Sequence, residues 1–232
     1  MPINNLKIIS VNCRGLGDSV KRKDVFSFLR NKNASIYCLQ DTHFTKQMEK
    51  IIYMQWGYEV YSSYGTSDSR GVTVLLNNNF EFKIMNCITD NDGNYIILSI
   101  LVENRFTLTL VNLYGPNSDC PDFYIQLKNK LQDNESDYTV VCGDFNLVLD
   151  FDRDCYNYVR QNNPRAVNEV KCLCDEISLC DPWRINYPDL KNFTWFRKNP
   201  IKKARLDFFL ISDHLLTIID STSIYYKLLL LL

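Results

Sequence analysis

Polar and apolar residues alternate from Lys7 to Asn12, the period of a strand with one buried face, and the run ends on a polar side chain. Cys13 to Asp18 reads as a turn. Ser19 is placed to cap a helix reaching about Arg30, with Val25, Phe28 and Leu29 on its apolar face. Ser35 to Leu39 is apolar enough for a buried strand, and Gln40-Asp41-Thr42-His43 follows at its exit. Thr45 to Gln55 has helical spacing. A strand-rich middle covers Gly57 to Tyr64, Arg70 to Leu76, Phe80 to Cys87, Tyr95 to Val102 and Phe106 to Tyr114, and Gly115-Pro116-Asn117 breaks it. Pro121 to Leu131 reads as a helix, and Tyr138 to Cys142 as a strand running into Gly143. Asn168 to Leu179 is helical, and Phe193 to Phe196 and Leu206 to Ile211 are strands. No repeat or linker divides residues 1–232, so the pattern predicts one α/β domain in which helices flank two packed sheets.

Polar residues without an obvious structural use collect at the strand ends: Asn12, Asp41, Tyr114, and Asp144 with Asn146, while Asp207 sits near the start of another strand. Ligand sites in layered folds gather at such ends, and a cluster of carboxylates calls for a cation. If strand geometry persists past Gly143, Asp144 and Asn146 face the same space and Phe145 faces away. A turn that uses Gly, Asp and Asn for their backbone tolerance is the competing account.

Composition narrows the class. Lys and Arg number 26 against 27 Asp and Glu, so any nucleic-acid site must be a local patch. Nine cysteines, several inside apolar runs, suit a reducing compartment, nuclear or cytoplasmic. Cys172 and Cys174 lack the second pair a zinc site needs. The start of the chain has no signal-peptide pattern, and no run approaches the roughly 20 apolar residues of a membrane span. The run Lys227 to Leu232 is either a strand cut short or a tail foreign to the domain.

Five motifs then occur in order: Ser10-Val11-Asn12-Cys13-Arg14-Gly15-Leu16; Leu39-Gln40-Asp41-Thr42-His43; Asn112-Leu113-Tyr114-Gly115-Pro116-Asn117; Gly143-Asp144-Phe145-Asn146; and Thr194-Trp195 followed by Arg205-Leu206-Asp207. Together they resemble the endonuclease–exonuclease–phosphatase superfamily, and within it the apurinic-type endonuclease domain of LINE-type (non-LTR) retrotransposons. The resemblance implies a four-layer α/β/β/α sandwich that cuts phosphodiesters with Mg²⁺ (or Mn²⁺). It implies DNA as partner, a monomer, and a reverse transcriptase domain on the same chain in an intact element. Asp41 takes the place of the metal-binding Glu, and Asn12 helps place metal or phosphate. Asp144 orients or deprotonates the attacking water, Asn146 holds that water and a phosphoryl oxygen, and Tyr114 donates to the phosphate or polarises the leaving group. Asp207 orients a histidine.

Two departures stand out. Asp41 is one methylene shorter than the family's Glu, which predicts weaker metal binding. The family also closes on Ser-Asp-His well beyond the Asp207 motif. Ser212-Asp213-His214 matches in letters but lies at the far end of the same strand, about 20 Å from Asp207 at the usual rise. His214 is therefore read as a decoy with a surface or turn role. The genuine motif belongs after Ile224-Tyr225-Tyr226-Lys227, where the Leu run stands. The expectation is a C-terminally incomplete domain, its last strand truncated and its cleavage impaired. A catalytically dead remnant and a phosphatase for a small phosphorylated substrate are the alternatives. His43, Thr194 and Arg205 are candidate phosphate or DNA contacts, and Lys202 and Lys203 are either a DNA-facing rim or solvated loop charges. Arg14 and Arg70 are open in the same way, and Trp195 reads as core.

Overall fold

The computed structural model describes residues 6–225 and 228–231. Its first strands and helices are β1 (Ile8–Asn12), α1 (Ser19–Asn31), β2 (Ile36–Gln40), α2 (Glu49–Trp56), β3 (Val60–Ser63) and β4 (Val72–Leu76). The middle holds β5 (Phe82–Thr89), β6 (Tyr95–Val102), β7 (Phe106–Tyr114), α3 (Pro121–Gln132) and β8 (Tyr138–Asp144). Then come β9 (Cys155–Tyr156), α4 (Pro164–Glu176), β10 (Leu179–Cys180), α5 (Pro182–Asn186), β11 (Trp195–Arg197) and β12 (Lys202–Ala204). The chain closes with β13 (Asp207–Ser212), β14 (Thr222–Tyr225) and β15 (Leu228–Leu231).

Two six-stranded sheets result, ordered β14-β15-β1-β2-β4-β3 and β10-β13-β8-β7-β6-β5. The β1–β2 and β7–β8 pairs are parallel, so the motif-bearing ends of each pair emerge on the same edge. Side chains alternate across each strand and fill three apolar layers. Ile8, Ile36, Cys38 and Val74 meet Leu98, Leu110, Val140 and Phe209 between the sheets. Their neighbours Ile9, Tyr37 and Leu75 point the other way, under Phe26 and Leu29 of α1 and Ile52 and Trp56 of α2. Val111, Val141 and Phe208 face α3 and α4 through Tyr124, Leu127, Val167 and Val170. This is the four-layer arrangement the sequence predicts.

Several local expectations change. Asp18, not Ser19, caps α1 by accepting from the Lys21 N–H at 2.8 Å. The inward face of α1 is Arg22, Phe26 and Leu29, while Phe28 is 49% exposed. Helix α4 begins at Pro164 instead of Asn168, because proline suits the first helical turn, where no N–H is needed. The Leu run forms β15, antiparallel to both β14 and β1. β15 stands where a closing Ser-Asp-His is expected, just after Lys227, while residues 226 and 227 lie outside the described residues. A separate sheet, β11-β12-β9, stands at the Asp207 end of β13.

Where β7 and β8 run in parallel, Gly143 has φ +138° and a Cβ there would collide with the Leu113 carbonyl oxygen. Only glycine allows that approach. Below the site a buried amide pair ties the sheets together. Gln40 Nε2 donates to Asn112 Oδ1 at 2.6 Å, and Asn112 Nδ2 donates to the Leu39 and Thr73 carbonyls at 3.0 Å.

Candidate active site

One edge of the sandwich gathers the strand ends. Asn12 closes β1 and Asp41 follows β2 in the first sheet, while Tyr114 closes β7, Asp144 closes β8 and Asp207 opens β13 in the second. Register places Tyr114 beside Asp144 and Asp144 directly opposite Asp207. The seam between the sheets is bridged by Asn12 Nδ2, which donates to Asp144 Oδ2 at 2.7 Å. The other carboxylate oxygen of Asp144 accepts from the Asn146 N–H at 2.9 Å.

Asn146 reaches this place by a route that strand alternation does not describe. β8 ends at Asp144, and Asn146 adopts φ +53°, a left-handed turn that folds its amide back to the Gly115 carbonyl at 2.7 Å. Phe145 is thereby driven into the core against Tyr124 and Phe208. The Asn146 and Asn117 side chains lie near the Tyr114 hydroxyl and oppose the rise of its pKa. The turn account describes the backbone here, and within the turn Asn146 meets Asp144 through its N–H.

Asp41 and His43 both have positive φ, +51° and +57°, with Thr42 between them. Backbone bonds hold this segment on two sides, from Gly15 and Leu16 to the Asp41 and Thr42 carbonyls, and from Thr42 and His43 to Gly71 and Arg70. Asp41 Oδ1 takes the Arg70 N–H at 3.2 Å and His43 Nε2 at 3.0 Å. Left-handed non-glycine residues cost energy and persist where surrounding bonds impose them. His43 therefore sits on the carboxylate of Asp41, its ring against Gly15.

Charge in the cleft is concentrated and poorly hydrated. Burial pushes the Asp144 carboxyl up to about 6, with the Asn146 N–H and the Asn12 amide opposing it and the Asp41 charge adding to it. Burial, then the Asp144 charge, raises Asp207 well above the ordinary range. Burial and the charges of Asp41 and Asp144 raise Tyr114, so its hydroxyl remains a donor. Arg14, treated as an open case from sequence, lowers both Asp144 and Asp207 and lines a small cavity of about 20 Å³ with Asn12, Asp144, Thr194, Trp195 and Asp207. Its position two residues after Asn12 in the first motif is the signal that could have marked it.

Thr194, Arg205 and the decoy His214 are each engaged by neighbouring groups. Thr194 is buried in the lining of the Asp144–Asp207 cavity, and its Oγ1 accepts from the Leu206 and Asp207 N–H groups, fixing the start of β13. Arg205 is 1% exposed, and its guanidinium is spent on Asp154 at 2.8 Å and Asp181 at 2.7 Å between the rings of Trp183 and Phe208. As a DNA contact it is corrected to an interior tie. His214 lies past the opposite end of β13, where Nε2 meets the Asp137 carbonyl at 2.9 Å and the ring packs on Tyr138. Neither histidine of the chain bonds Asp207 or lines its cavity.

A model of the Endonuclease/Exonuclease/phosphatase family matches residues 9–225. The chain belongs to that family. Its members are nuclease- and phosphatase-type hydrolases, and its nucleases generally depend on divalent metal. The chain is 28% identical over 225 residues to the transposon TX1 uncharacterized 149 kDa protein of Xenopus laevis, covering 94% of this chain and 17% of that protein. An exodeoxyribonuclease of Bacillus subtilis is 24% identical, covering 94% of this chain and 93% of its own length. An AP endonuclease of Leishmania major has the same fold, at TM-score 0.81 and 14% identity over 97% of this chain and 86% of its own. No helix among the described residues is long and apolar enough to cross a membrane.

The donor set fits a hard cation. Asp41, Asp144, Asp207 and Asn12 offer oxygens, with no thiolate among them. Among the described residues no three acidic, histidine or cysteine side chains converge tightly enough to hold an ion alone. A hard divalent cation is commonly held by one or two carboxylates, with water and substrate phosphate in its other positions.

Proposed function

We propose that this chain is a Mg²⁺-dependent DNA endonuclease domain of a LINE-type element, nicking one strand to expose the 3′-hydroxyl that primes reverse transcription. The observation that carries this is the Asn12–Asp144 bond across the seam of the sheets, with the Asp41 and Asp144 charges both acting on Tyr114. The likeness to a transposon protein and to an exodeoxyribonuclease supports DNA as the substrate.

The residues divide the work. Asp144, with its carboxyl near 6, is ionised at neutral pH yet basic enough to take a proton from an attacking water. Asn12 keeps the carboxylate aimed, and the Asn146 side chain lies near the Tyr114 hydroxyl. Tyr114 stays protonated and donates to a phosphoryl oxygen as charge develops there. Asp41 and Asn12 would hold the cation, which supplies charge neutralisation at the phosphate. With neither histidine at Asp207, cleavage by this chain alone is slow.

Supercoiled plasmid with Mg²⁺ tests the proposal. Open circles that form with the wild type and fall at least a hundredfold with Asp144→Ala are the expected outcome. No nicking by folded protein at high concentration would leave the remnant account standing.

A further inference from the structure

The sheet β11-β12-β9 gives the cleft Trp195, and the rest of its surface has an unusual make-up. Register sets Phe196 opposite Lys203 and Lys203 opposite Tyr156, so the three form one row across one face. The Lys203 ammonium lies 5.7 Å from the Tyr156 ring and 5.9 Å from those of Phe193 and Phe196. Tyr156 is 56% exposed and Phe196 42%, in a protein whose large aromatics are mostly interior. The opposite face repeats the pairing with Lys202 over Tyr158, at the edge of a groove of about 530 Å³ that also takes in Arg160, Asn162 and Asn163. Both of those asparagines donate to the Asn146 carbonyl, so this groove abuts the active-site turn.

Charge is equally uneven. Residues 155–163 and 193–204 carry Arg160, Arg197, Lys198, Lys202 and Lys203 and no acid, within a chain of net charge −1. None of those five forms a salt bridge among the described residues, whereas Arg153, Arg165, Arg184 and Arg205 nearby are all paired. A cation–π row that served only to hold strands together would need no such uncompensated charge around it.

We infer that this small sheet is a docking surface for unpaired DNA, its rings stacking bases and its lysines and arginines meeting phosphates. Flat rings interleaved with cations suit unstacked nucleotides, because every base offers a π face and every linkage a charge. A continuous duplex keeps the faces of its bases stacked inside and presents phosphates and base edges instead. The inference rests on the proposed DNA substrate and adds to it which state of the strand is held beside the cut.

Binding without catalysis separates the two. A labelled oligothymidine is titrated into the full chain in EDTA, alongside a blunt duplex and an oligouridine of equal length. Tyr156→Leu with Phe196→Leu, which keeps apolar cover but removes the rings, is expected to weaken oligothymidine binding roughly ten- to a hundredfold. Duplex binding and plasmid nicking should stay within about twofold. Lys202→Gln with Lys203→Gln should flatten the salt dependence for the single strand by about 0.7 per lost contact. Unchanged oligothymidine affinity in the double leucine variant, with only a lower melting temperature, would reduce the row to a structural zipper and overturn the inference. Binding confined to oligouridine, or lost equally for duplex, would overturn it too. Failure to nick with single-strand binding intact would count against the endonuclease alone.

Discussion

Asp144 and Asp207 are direct cross-strand partners, a place where like charges oppose pairing. Both have carboxyls raised by burial, so the folded chain keeps protons that the unfolded chain has already released. Stability must then fall as pH rises from the unfolded carboxylate range through the folded value. For Asp144 that window runs from 3.8 to about 6, and the loss is on the order of 2–3 kcal/mol. Asp207→Asn removes one of the two groups. In EDTA its melting temperature should equal the wild type's near pH 4 and exceed it increasingly toward pH 8. A constant offset across that range would mean that Asp207 is not a strained charge. Such strain fits a site shaped for a cation and not for the empty fold.

At the scale of elements, the long strands and helices and the motifs on them were legible, because periods of 2 and 3.6 need length to show. β11 overlaps the strand read at Phe193 to Phe196, but β9 and β12 have two and three residues, and no period survives in so few. For that reason Lys202 and Lys203 read ambiguously as loop charges. Arg205 misled for a different reason. Its letters sit beside Asp207 in the motif, but its partners Asp154 and Asp181 lie far off in the chain and only the fold brings them in. Asp154 is fully buried and held by Arg205 and Arg184. Arg205→Met should therefore leave a buried carboxylate half-compensated and cost about 3–5 kcal/mol, a fall near 10 °C in melting temperature for a chain of this size. The salt dependence of DNA binding should not change, since the guanidinium never reaches the surface. A flattened salt dependence with normal stability would return Arg205 to the DNA interface.

For the whole molecule, the decisive fact is that no single sheet owns the site. Asn12 and Asp41 come from one, Tyr114, Asp144 and Asp207 from the other, and besides the shared apolar core the Gln40–Asn112 amide pair is the tie beneath them. A cation held by Asp41 and Asn12 would bind only the folded chain, where the ends of β1 and β2 lie side by side, and binding to the folded state alone raises stability by RT ln(1 + [L]/Kd). At ten times Kd this is about 1.4 kcal/mol, or roughly 3–5 °C. Mg²⁺ should raise the melting temperature by that order at pH 8 and by less at pH 5, where protons occupy the raised carboxyls. Asp41→Ala should abolish the shift. Asp41→Glu, restoring the methylene, should move the midpoint of the titration to lower Mg²⁺ and speed nicking in step. If the glutamate variant binds no better, the bonds from His43 and the Arg70 N–H already bring the shorter side chain to where the ion needs it, and the backbone of residues 41–43 has been bent to that end.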